Sequence, residues 1–489
     1  MAADLAGVRV GILGIGRSGV AAAKAARHAG GHPFVVDEKA GAPGSVLELR
    51  SLGIAAATEW TGSFSSGNAD LVVTSPGVPK DNPRLQEALS AGIEVIGEIE
   101  LAYRIAKAPI VALTGTNGKS TTTVMTYLCL ESAGQRPILC GNIYGSGYEE
   151  MPLTEAAVAA EADQVLVAEV SSFQLDFTPT FRPVSAGITN IWEDHLNRYG
   201  GSMAAYAAVK HLIFAHQTAE DYAVVRAHDP VVRPPKGPIV LTFGSGGEHA
   251  QVETDQLIIL GTRLAAKDLP FKEPHNYQNA AMAALLGYGY LRVRRDRDPG
   301  SEAARILHTA EAQAEATIAA RRSVYSQRRP NQKPWVAPPE LLAGLKQFRG
   351  LSHRMEVLGD KSGVKVINNS MCTNVDAILK SATAIREPKH LLIGGVNKGL
   401  DFRPLRNYLA NRRDQAYLYG RDAAAINETL GGGWPVFAKL REAFDAAKAA
   451  SKPGEVIMLS PGCASFDEFE DFRHRGNVFK ELAMEWLKS

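Results

Sequence analysis

The chain of 489 residues is longer than one ordinary core, since domains run about 100–200 residues, and three domains are the natural expectation. Its 53 basic and 52 acidic residues nearly cancel, which leaves no whole-chain footprint for nucleic acid or an anionic membrane, so an anionic ligand has to be met by local charge. Cys129, Cys140, Cys372 and Cys463 form no CxxC pair, and no stretch approaches the ~20 apolar residues of a bilayer span, so a disulfide framework, a zinc site and a membrane anchor are set aside in favour of a soluble, unexported protein of a reducing cytoplasm.

From Val8 to Leu13 the residues read as a buried strand, the glycines at 14, 16 and 19 as a tight turn, and Ala21 to Ala29 as a helix. A second strand, Pro33 to Val36, ends at Asp37. Gly14-Ile15-Gly16-Arg17-Ser18-Gly19 followed by Asp37 fits the dinucleotide fingerprint, a glycine turn opening a helix and then an acid placed for ribose hydroxyls. Read alone, it suggests an NAD(P)-dependent oxidoreductase. The strand Asp70 to Thr74, closed by Ser75-Pro76-Gly77-Val78-Pro79, brings the first domain to an end near Gly97, too short for both halves of a dinucleotide fold. It can still hold one nucleotide's diphosphate at the helix N-terminus.

A new strand, loop and helix follow at Ile110 to Leu113, Thr114 to Gly118 and Lys119 to Ala133. The loop and helix start read Thr114-Gly115-Thr116-Asn117-Gly118-Lys119-Ser120-Thr121, placed as a phosphate-binding loop requires. Backbone N–H groups there can surround phosphate oxygens, Lys119 can meet the β and γ phosphates, and Ser120 can reach Mg²⁺. Leu113 stands where the usual motif has its first glycine. Glu169 comes near the end of the strand Gln164 to Val170, and Asp194 and His195 follow the strand Ser185 to Ile191; open α/β sheets collect their ligands at such strand ends. Taken singly, each of the three reads as an ordinary loop residue.

Strands alternating with helices predict a parallel, doubly wound sheet for this middle part, and Val364 to Ile367, His390 to Ile393, Gln415 to Tyr419 and Val456 to Leu459 repeat the pattern in the third. Between them the arginine- and alanine-rich stretch Leu291 to Pro338 stands apart. Its middle, Ser301 to about Arg322, predicts a helix capped by Ser301 with Leu307, Ala310, Ala314 and Ile318 on one face. A solvated excursion is the plain reading and a partner-binding arm the sharper one.

In order and spacing these residues resemble the Mur ligases, and within them the branch that adds glutamate to UDP-N-acetylmuramoyl-L-alanine. The resemblance covers nearly the whole chain outside the 291–338 stretch. It runs through the turn at Gly14 to Gly19, Ser75 to Pro79, Gly115 to Thr121, and Glu169 to Leu175 (EVSSFQL), whose phenylalanine points to the glutamate-adding branch. It continues through Asn190 with Asp194-His195-Leu196 and Arg198, Tyr206 with Lys210, His275-Asn276 with Asn279, and Gly350-Leu351 with His353-Arg354 and Glu356. Gly394-Gly395 with Lys398-Gly399 and Leu459 to Phe472 with Arg475-Gly476 complete it.

The resemblance implies an α/β ligase of three domains: a Rossmann-like UDP-sugar domain at 1–97, a central P-loop ATPase-type domain with a parallel sheet at 98–350 carrying the insertion at about 291–338, and a Rossmann-like amino-acid domain at 351–489. By that likeness Arg17, Ser18, Asp37, Gly77 and Asn142 lie along the UDP-sugar. Gly115, Thr116, Asn117, Gly118, Lys119, Ser120 and Thr121, with Asn279 and Arg354, meet ATP. Lys119, Glu169, His195 and Lys210 form the catalytic set, with Ser120, Glu169, His195 and Lys210 serving two Mg²⁺ ions. Lys210 matches the lysine that the family carries as a carbamate; without the likeness it would read as a lysine on a helix surface. Thr373, Lys398, Ser465, Phe466 and Phe472 match positions around the incoming amino acid.

The chemistry implied is activation of a poorly electrophilic carboxylate as an acyl phosphate, followed by attack of an amine through a tetrahedral species whose charge needs nearby cations. UDP-N-acetylmuramoyl-L-alanine and D-glutamate are the expected substrates, in cytoplasmic peptidoglycan precursor synthesis by a monomer without nucleic-acid or membrane partners. L-glutamate or another amino acid stays open, as do an oxidoreductase and a catalytically dead nucleotide-binding relative, against which the retained Lys119, Glu169 and His195 argue. In one place the pattern departs: the family's Asn-Asp-Ser-Lys run stands here as Asn368-Asn369-Ser370-Met371. Losing an acid and an ammonium together reads as a compensated change.

Overall fold

Short apolar runs without alternation predict strands covered on both faces, and three sheets are built of them. The computed structural model describes residues 4–40, 43–65, 67–194, 196–321 and 335–489. The backbone divides into two compact units, one running to Tyr144 and from Tyr148 to Arg349, the other made of Gly145–Gly147 and Gly350–Ser489.

The first unit holds two sheets. In the first, β1 (Arg9–Leu13), β2 (His32–Val36), β3 (Ala55–Ala57), β4 (Leu71–Thr74) and β5 (Glu94–Gly97) lie parallel in the order β3-β2-β1-β4-β5. The chain winds one way from β1 and returns to the other side at β4, so the carboxyl ends of β1 and β4 flank a crevice where the winding reverses. The turn after β1 packs closely on the helix Arg17–His28: a Cβ on Gly19 would come within 1.9 Å of the Gly14 carbonyl oxygen. Only glycine fits there.

The second sheet joins β6 (Ile110–Thr114), β7 (Arg136–Gly141), β8 (Gln164–Glu169), β9 (Ser185–Ile188), β10 (Tyr222–Arg226), β11 (Ile239–Phe243), β12 (Ala250–Val252), β13 (Gln256–Ile259) and β14 (Thr262–Ala265) in the order β14-β13-β12-β11-β10-β9-β6-β8-β7. Strands β12 to β14 pair antiparallel, while β6 is flanked in parallel by β8 and β9, which puts its carboxyl end at a second switch point. The helix that follows β6, Lys119–Ser132, packs on Pro274–Arg297, a 24-residue helix whose side from Tyr277 to Leu291 is almost wholly buried.

The helix predicted in the arginine- and alanine-rich stretch runs Glu302–Arg321, with the Ser301 hydroxyl accepting the Ala304 N–H at 3.3 Å. Its first half is not a solvated excursion. Ala303, Ala304, Ile306, Leu307 and Ala310 are buried, and buried Glu311 pairs with Arg295 at 2.9 Å, because the helix folds back along Pro274–Arg297. Ala314 is half-buried, and the side chain of Ile318 lies outside the described residues.

In the second unit β15 (Glu356–Lys361), β16 (Val364–Asn368), β17 (Lys389–Gly394), β18 (Gln415–Tyr419), β19 (Val436–Phe437) and β20 (Val456–Gly462) take the order β15-β16-β20-β17-β18-β19, parallel except for β15. All four cysteines are buried and free, and among the described residues no helix is long and apolar enough to cross a membrane.

Candidate functional sites

The loop after β6 closes over its own backbone. Gly115 has φ +151° and Gly118 φ +81°, and a Cβ on Gly115 would fall 1.8 Å from the Thr189 hydroxyl, so the loop needs glycine for both conformation and space. Asn190, at the end of β9, clamps the loop by accepting the Asn117 N–H at 3.0 Å with its side chain and the Thr116 N–H at 2.8 Å with its carbonyl. Thr189 and Asn190 both donate to the Asn117 carbonyl oxygen, at 2.7 and 3.0 Å. The Lys119 ammonium donates back to the carbonyls of Gly115 and Thr116, at 3.1 and 3.0 Å. Asn279 stands beside Gly118, where a Cβ would meet its Oδ1 at 2.5 Å.

Glu169, buried at the end of β8, reaches in two directions. Its Oε2 accepts from the Ser120 hydroxyl at 2.7 Å and its Oε1 from the Asn142 amide at 2.9 Å. Lys210, buried near the end of the helix Met203–His211, donates to the Gly115 carbonyl at 2.8 Å and to the Thr114 hydroxyl at 3.3 Å. Burial first, and the Lys119 charge second, pull its ammonium down to about 7, while Asp194 and Glu169 oppose that shift. The structure thus gathers Lys119, Ser120, Glu169, Asp194 and Lys210 around one loop. His195 lies outside the described residues, among which no group of three or more histidine, cysteine or acidic side chains could hold a metal.

A cleft of about 500 Å³ opens at the crevice between β1 and β4 and reaches the second sheet. Arg17, Ser18, Asp37, Gly77 and Asn142 all line it, so the five positions singled out for the UDP-sugar share one cavity. Asp37 is already engaged: Oδ2 accepts the Ile15 N–H at 3.0 Å and Oδ1 the Lys39 N–H at 2.9 Å. It shapes the glycine turn as well as facing the cleft. Tyr144, Glu98 and Gln174 also line it; Gln174 falls in the Glu169–Leu175 run, while Tyr144 and Glu98 carry no motif of their own. Arg17 lies over the Tyr144 ring at 4.7 Å. The Glu98 carboxyl, pushed up by burial to about 7 against the 2.6 Å hydrogen bond from Gln174, is a proton-bearing group near neutrality.

In the second unit Thr373, Lys398, Ser465 and Phe466 follow β16, β17 and β20, three neighbouring strands, at their carboxyl ends. Val396 and Ala464 exchange backbone hydrogen bonds at 2.8 and 3.1 Å, which joins two of these loops and sets Lys398 over the exposed Phe466 ring at 5.4 Å. Phe472 is tied in through its carbonyl, which accepts from Ser370 at 2.7 Å, and fully buried Arg475 holds Ser370 in turn. Arg354 is exposed in a turn where His353 and Met355 have φ +61° and +50°. Asn369 supports that turn. It is buried, accepts the Met355 N–H at 3.2 Å and donates to Ser460 at 3.4 Å, so its carboxamide is committed inside the fold and not presented to a ribose.

Residues 8–97 match the N-terminal domain of MurD-like Mur ligases, 113–287 the Mur ligase middle domain and 353–463 the Mur ligase glutamate ligase domain. The UDP-N-acetylmuramoylalanine–D-glutamate ligase of Koribacter versatilis is 34% identical over 495 residues, covering 98% of both chains. That of Pelotomaculum thermopropionicum is 33% identical over 496 residues and 100% of both, and that of Anaeromyxobacter dehalogenans 35% over 505 residues and 99% of both. Among solved structures the fold is similar to that of the UDP-N-acetylmuramate-alanine ligase MurC from Thermotoga maritima, with a TM-score of 0.54 at 20% identity over 98% of this chain and 99% of that one. MurF from Acinetobacter baumannii gives 0.51 at 16% identity over 94% and 91%. With three successive domain models matched and end-to-end similarity to relatives of one kind, the chain belongs to the Mur ligase family.

Proposed function

We propose that the chain is an ATP-dependent ligase that adds D-glutamate to UDP-N-acetylmuramoyl-L-alanine in peptidoglycan precursor synthesis in the cytoplasm, acting as a monomer. The observation that carries the reading is Glu169, whose two carboxylate oxygens link Ser120 of the phosphate loop to Asn142 of the cleft. That link joins the place for a γ-phosphate to the place for a carboxylate-bearing substrate, which acyl-phosphate formation demands. The full-length similarity to UDP-N-acetylmuramoylalanine–D-glutamate ligases supplies the substrate and the amino acid.

In this reading residues 1–97, 98–350 and 351–489 are the UDP-sugar, ATP and amino-acid domains. The loop Gly115–Thr121 with Asn279 and Arg354 receives ATP, and the glycine turn and Arg17, Ser18, Asp37 and Gly77 hold the UDP moiety. Lys119 turns from the loop carbonyls to the transferring phosphate and offsets the charge of the pentavalent and tetrahedral species. Thr373, Lys398, Ser465, Phe466 and Phe472 orient the amino acid, Lys398 through its carboxylate. A buried carboxylate and a hydroxyl at a phosphate site suit Mg²⁺, which takes one or two carboxylates plus phosphate oxygens and water. Ser120, Glu169, His195 and carbamylated Lys210 would hold two such ions, which supply Lewis-acid neutralisation of the phosphates. A lysine kept largely neutral by burial suits a carbamate, which forms on the free amine.

Phosphate release measured with ATP, UDP-N-acetylmuramoyl-L-alanine and a panel of amino acids tests the reading. Release that requires all three and prefers D-glutamate is expected. Release without the amino acid, preference for another one, or a change in reduced nicotinamide absorbance in its place would overturn it.

A further inference from the structure

The end of the second sheet opposite the phosphate loop carries a cleft of its own. It has a volume of about 530 Å³ and is bounded by Pro109 and Ile110 at the start of β6, by Val184 just before β9, and by the last turns of the helix Pro274–Arg297. Strand β6 is five residues long, so roughly 15 Å of strand separates this cleft from the phosphate loop. The helix Glu98–Ile105 forms its other wall.

Basic side chains line this cleft, and among the described residues no carboxylate does. Arg104 and Arg182 are fixed parts of the wall, Arg104 by a bidentate pair with Glu94 at 2.6 and 3.0 Å and Arg182 by Asp221 at 2.7 Å. The other cations are less committed. Arg294 meets Asp298 at 3.6 Å and feels Asp163, and neither Lys107 nor Arg297 enters an ion pair among the described residues. Arginines in the last turn of a helix complement its dipole, which explains the position of Arg294 and Arg297 on Pro274–Arg297 but not why Lys107 and Arg297 face one cleft without an ion-pair partner among the described residues.

The second observation is Tyr290. It lines the same cleft, is 1% exposed, and its hydroxyl has no hydrogen-bond partner among the described residues. Buried hydroxyls are nearly always paired, and an unpaired one in a polar cleft marks a missing acceptor. Burial pushes this hydroxyl up to about 12, so at neutral pH it keeps its proton and is able to donate. Arg294 and Arg297 both act on it electrostatically, with Asp163 opposing them, which puts donor and charge in one place.

We propose that this cleft is a second anion site, which takes a small phosphorylated anion of diphosphate to mononucleotide size, with Arg294, Arg297 and Lys107 supplying charge and the Tyr290 hydroxyl donating to a phosphate oxygen. Because it contacts the helix Glu98–Ile105, the segment 106–109 and the second sheet together, an occupant would tie the first and second sheets at their connection. The site stands apart from the ligase reading, since none of its residues belongs to the phosphate loop or the UDP-sugar cleft.

Inorganic pyrophosphate titrated calorimetrically into the full chain tests it. Three classes of site are expected, of which Lys119→Ala removes the one at the phosphate loop and Arg17→Glu the one at the glycine turn. Lys107→Glu with Arg297→Glu should weaken the third by about tenfold or more, the scale of a lost hydrogen bond to a charged group, and leave phosphate release by the ligase unchanged. Loss of all binding in Arg17→Glu with Lys119→Ala overturns the proposal, and so does a class that survives both changes and is indifferent to the double reversal. Tyr290→Phe and Arg297→Gln, both mild changes, should each lower pyrophosphate affinity severalfold; unchanged affinity in Tyr290→Phe would remove the hydroxyl from the site.

Discussion

The Lys210 side chain donates to the Gly115 carbonyl oxygen at 2.8 Å, which ties the helix Met203–His211 to the phosphate loop from below. With its proton held at about 7, the amine is neutral above that pH and charged below it. A carbamate forms only on the neutral amine, so with labelled bicarbonate the carbamate signal and the ligation rate should rise together from roughly pH 6 to pH 8. A plain amine in electron density at neutral pH with bicarbonate present, or an occupancy flat in pH, would sink the carbamate.

Lys119→Ala should leave the fold intact, because the ammonium donates to carbonyls of its own loop and does not join separate elements of the core, yet should lower the ligation rate by about 10²–10³ or more. Steady-state kinetics with circular dichroism on the same sample reads both. Substantial activity in the folded variant would dismiss this loop as the phosphate site.

Glu98 predicts a pH dependence of stability. Its carboxyl titrates at about 7 in the folded chain and at 4.5 unfolded, because burial disfavours the anion. Between those values the native state binds the extra proton, so this contribution to stability is present at low pH and is lost as pH rises from 4.5 to about 7. Glu98→Gln, which keeps a partner for Gln174, should therefore match the parent in acid and exceed it above neutrality, by up to ~3 kcal/mol. Denaturant midpoints across pH measure the difference; a variant less stable than the parent in alkali would show that Glu98 is ionised and paired.

Asn369→Ala removes the acceptor of the Met355 N–H and the donor to Ser460, and should cost about 1–3 kcal/mol in the second unit. Since the turn it supports carries Arg354, the KM for ATP should rise more than kcat falls. Asn369→Asp with Met371→Lys should retain the turn, because a carboxylate can accept from both Met355 and the Ser460 hydroxyl. A switch of preferred amino acid in that double variant would instead assign the pair to the amino-acid pocket.

Local chemistry was legible in sequence. The phosphate loop and the glycine turn each lie within a single strand, turn and helix, and their glycines sit where positive φ or close approach admits nothing larger. Elements without a local signature escaped. The helix Pro274–Arg297 is buried on nearly all sides, so it shows no apolar face of period 3.6, and it contains Gly287 and Gly289. Strand β7 contains Pro137, which reads against a strand but is tolerated at the sheet edge where β7 lies.

The motifs by themselves determined the fold class, the strand-end loops and the family likeness, because strand, turn and helix preferences act over a few residues and leave a pattern in them. Which side chains meet was decided only by tertiary structure. Asn142 and Glu169 are 27 positions apart and Gly115 and Lys210 are 95 apart, so nothing in either neighbourhood encodes the pairing. Asp37 fits the fingerprint of a ribose ligand and lines the cleft, and its two oxygens also accept the Ile15 and Lys39 N–H groups of the loops beside it, whereas Asn369 is spent on Met355 and Ser460. A buried polar group takes whichever partner the packed chain brings within about 3 Å, because leaving it unpaired costs more than any local preference supplies.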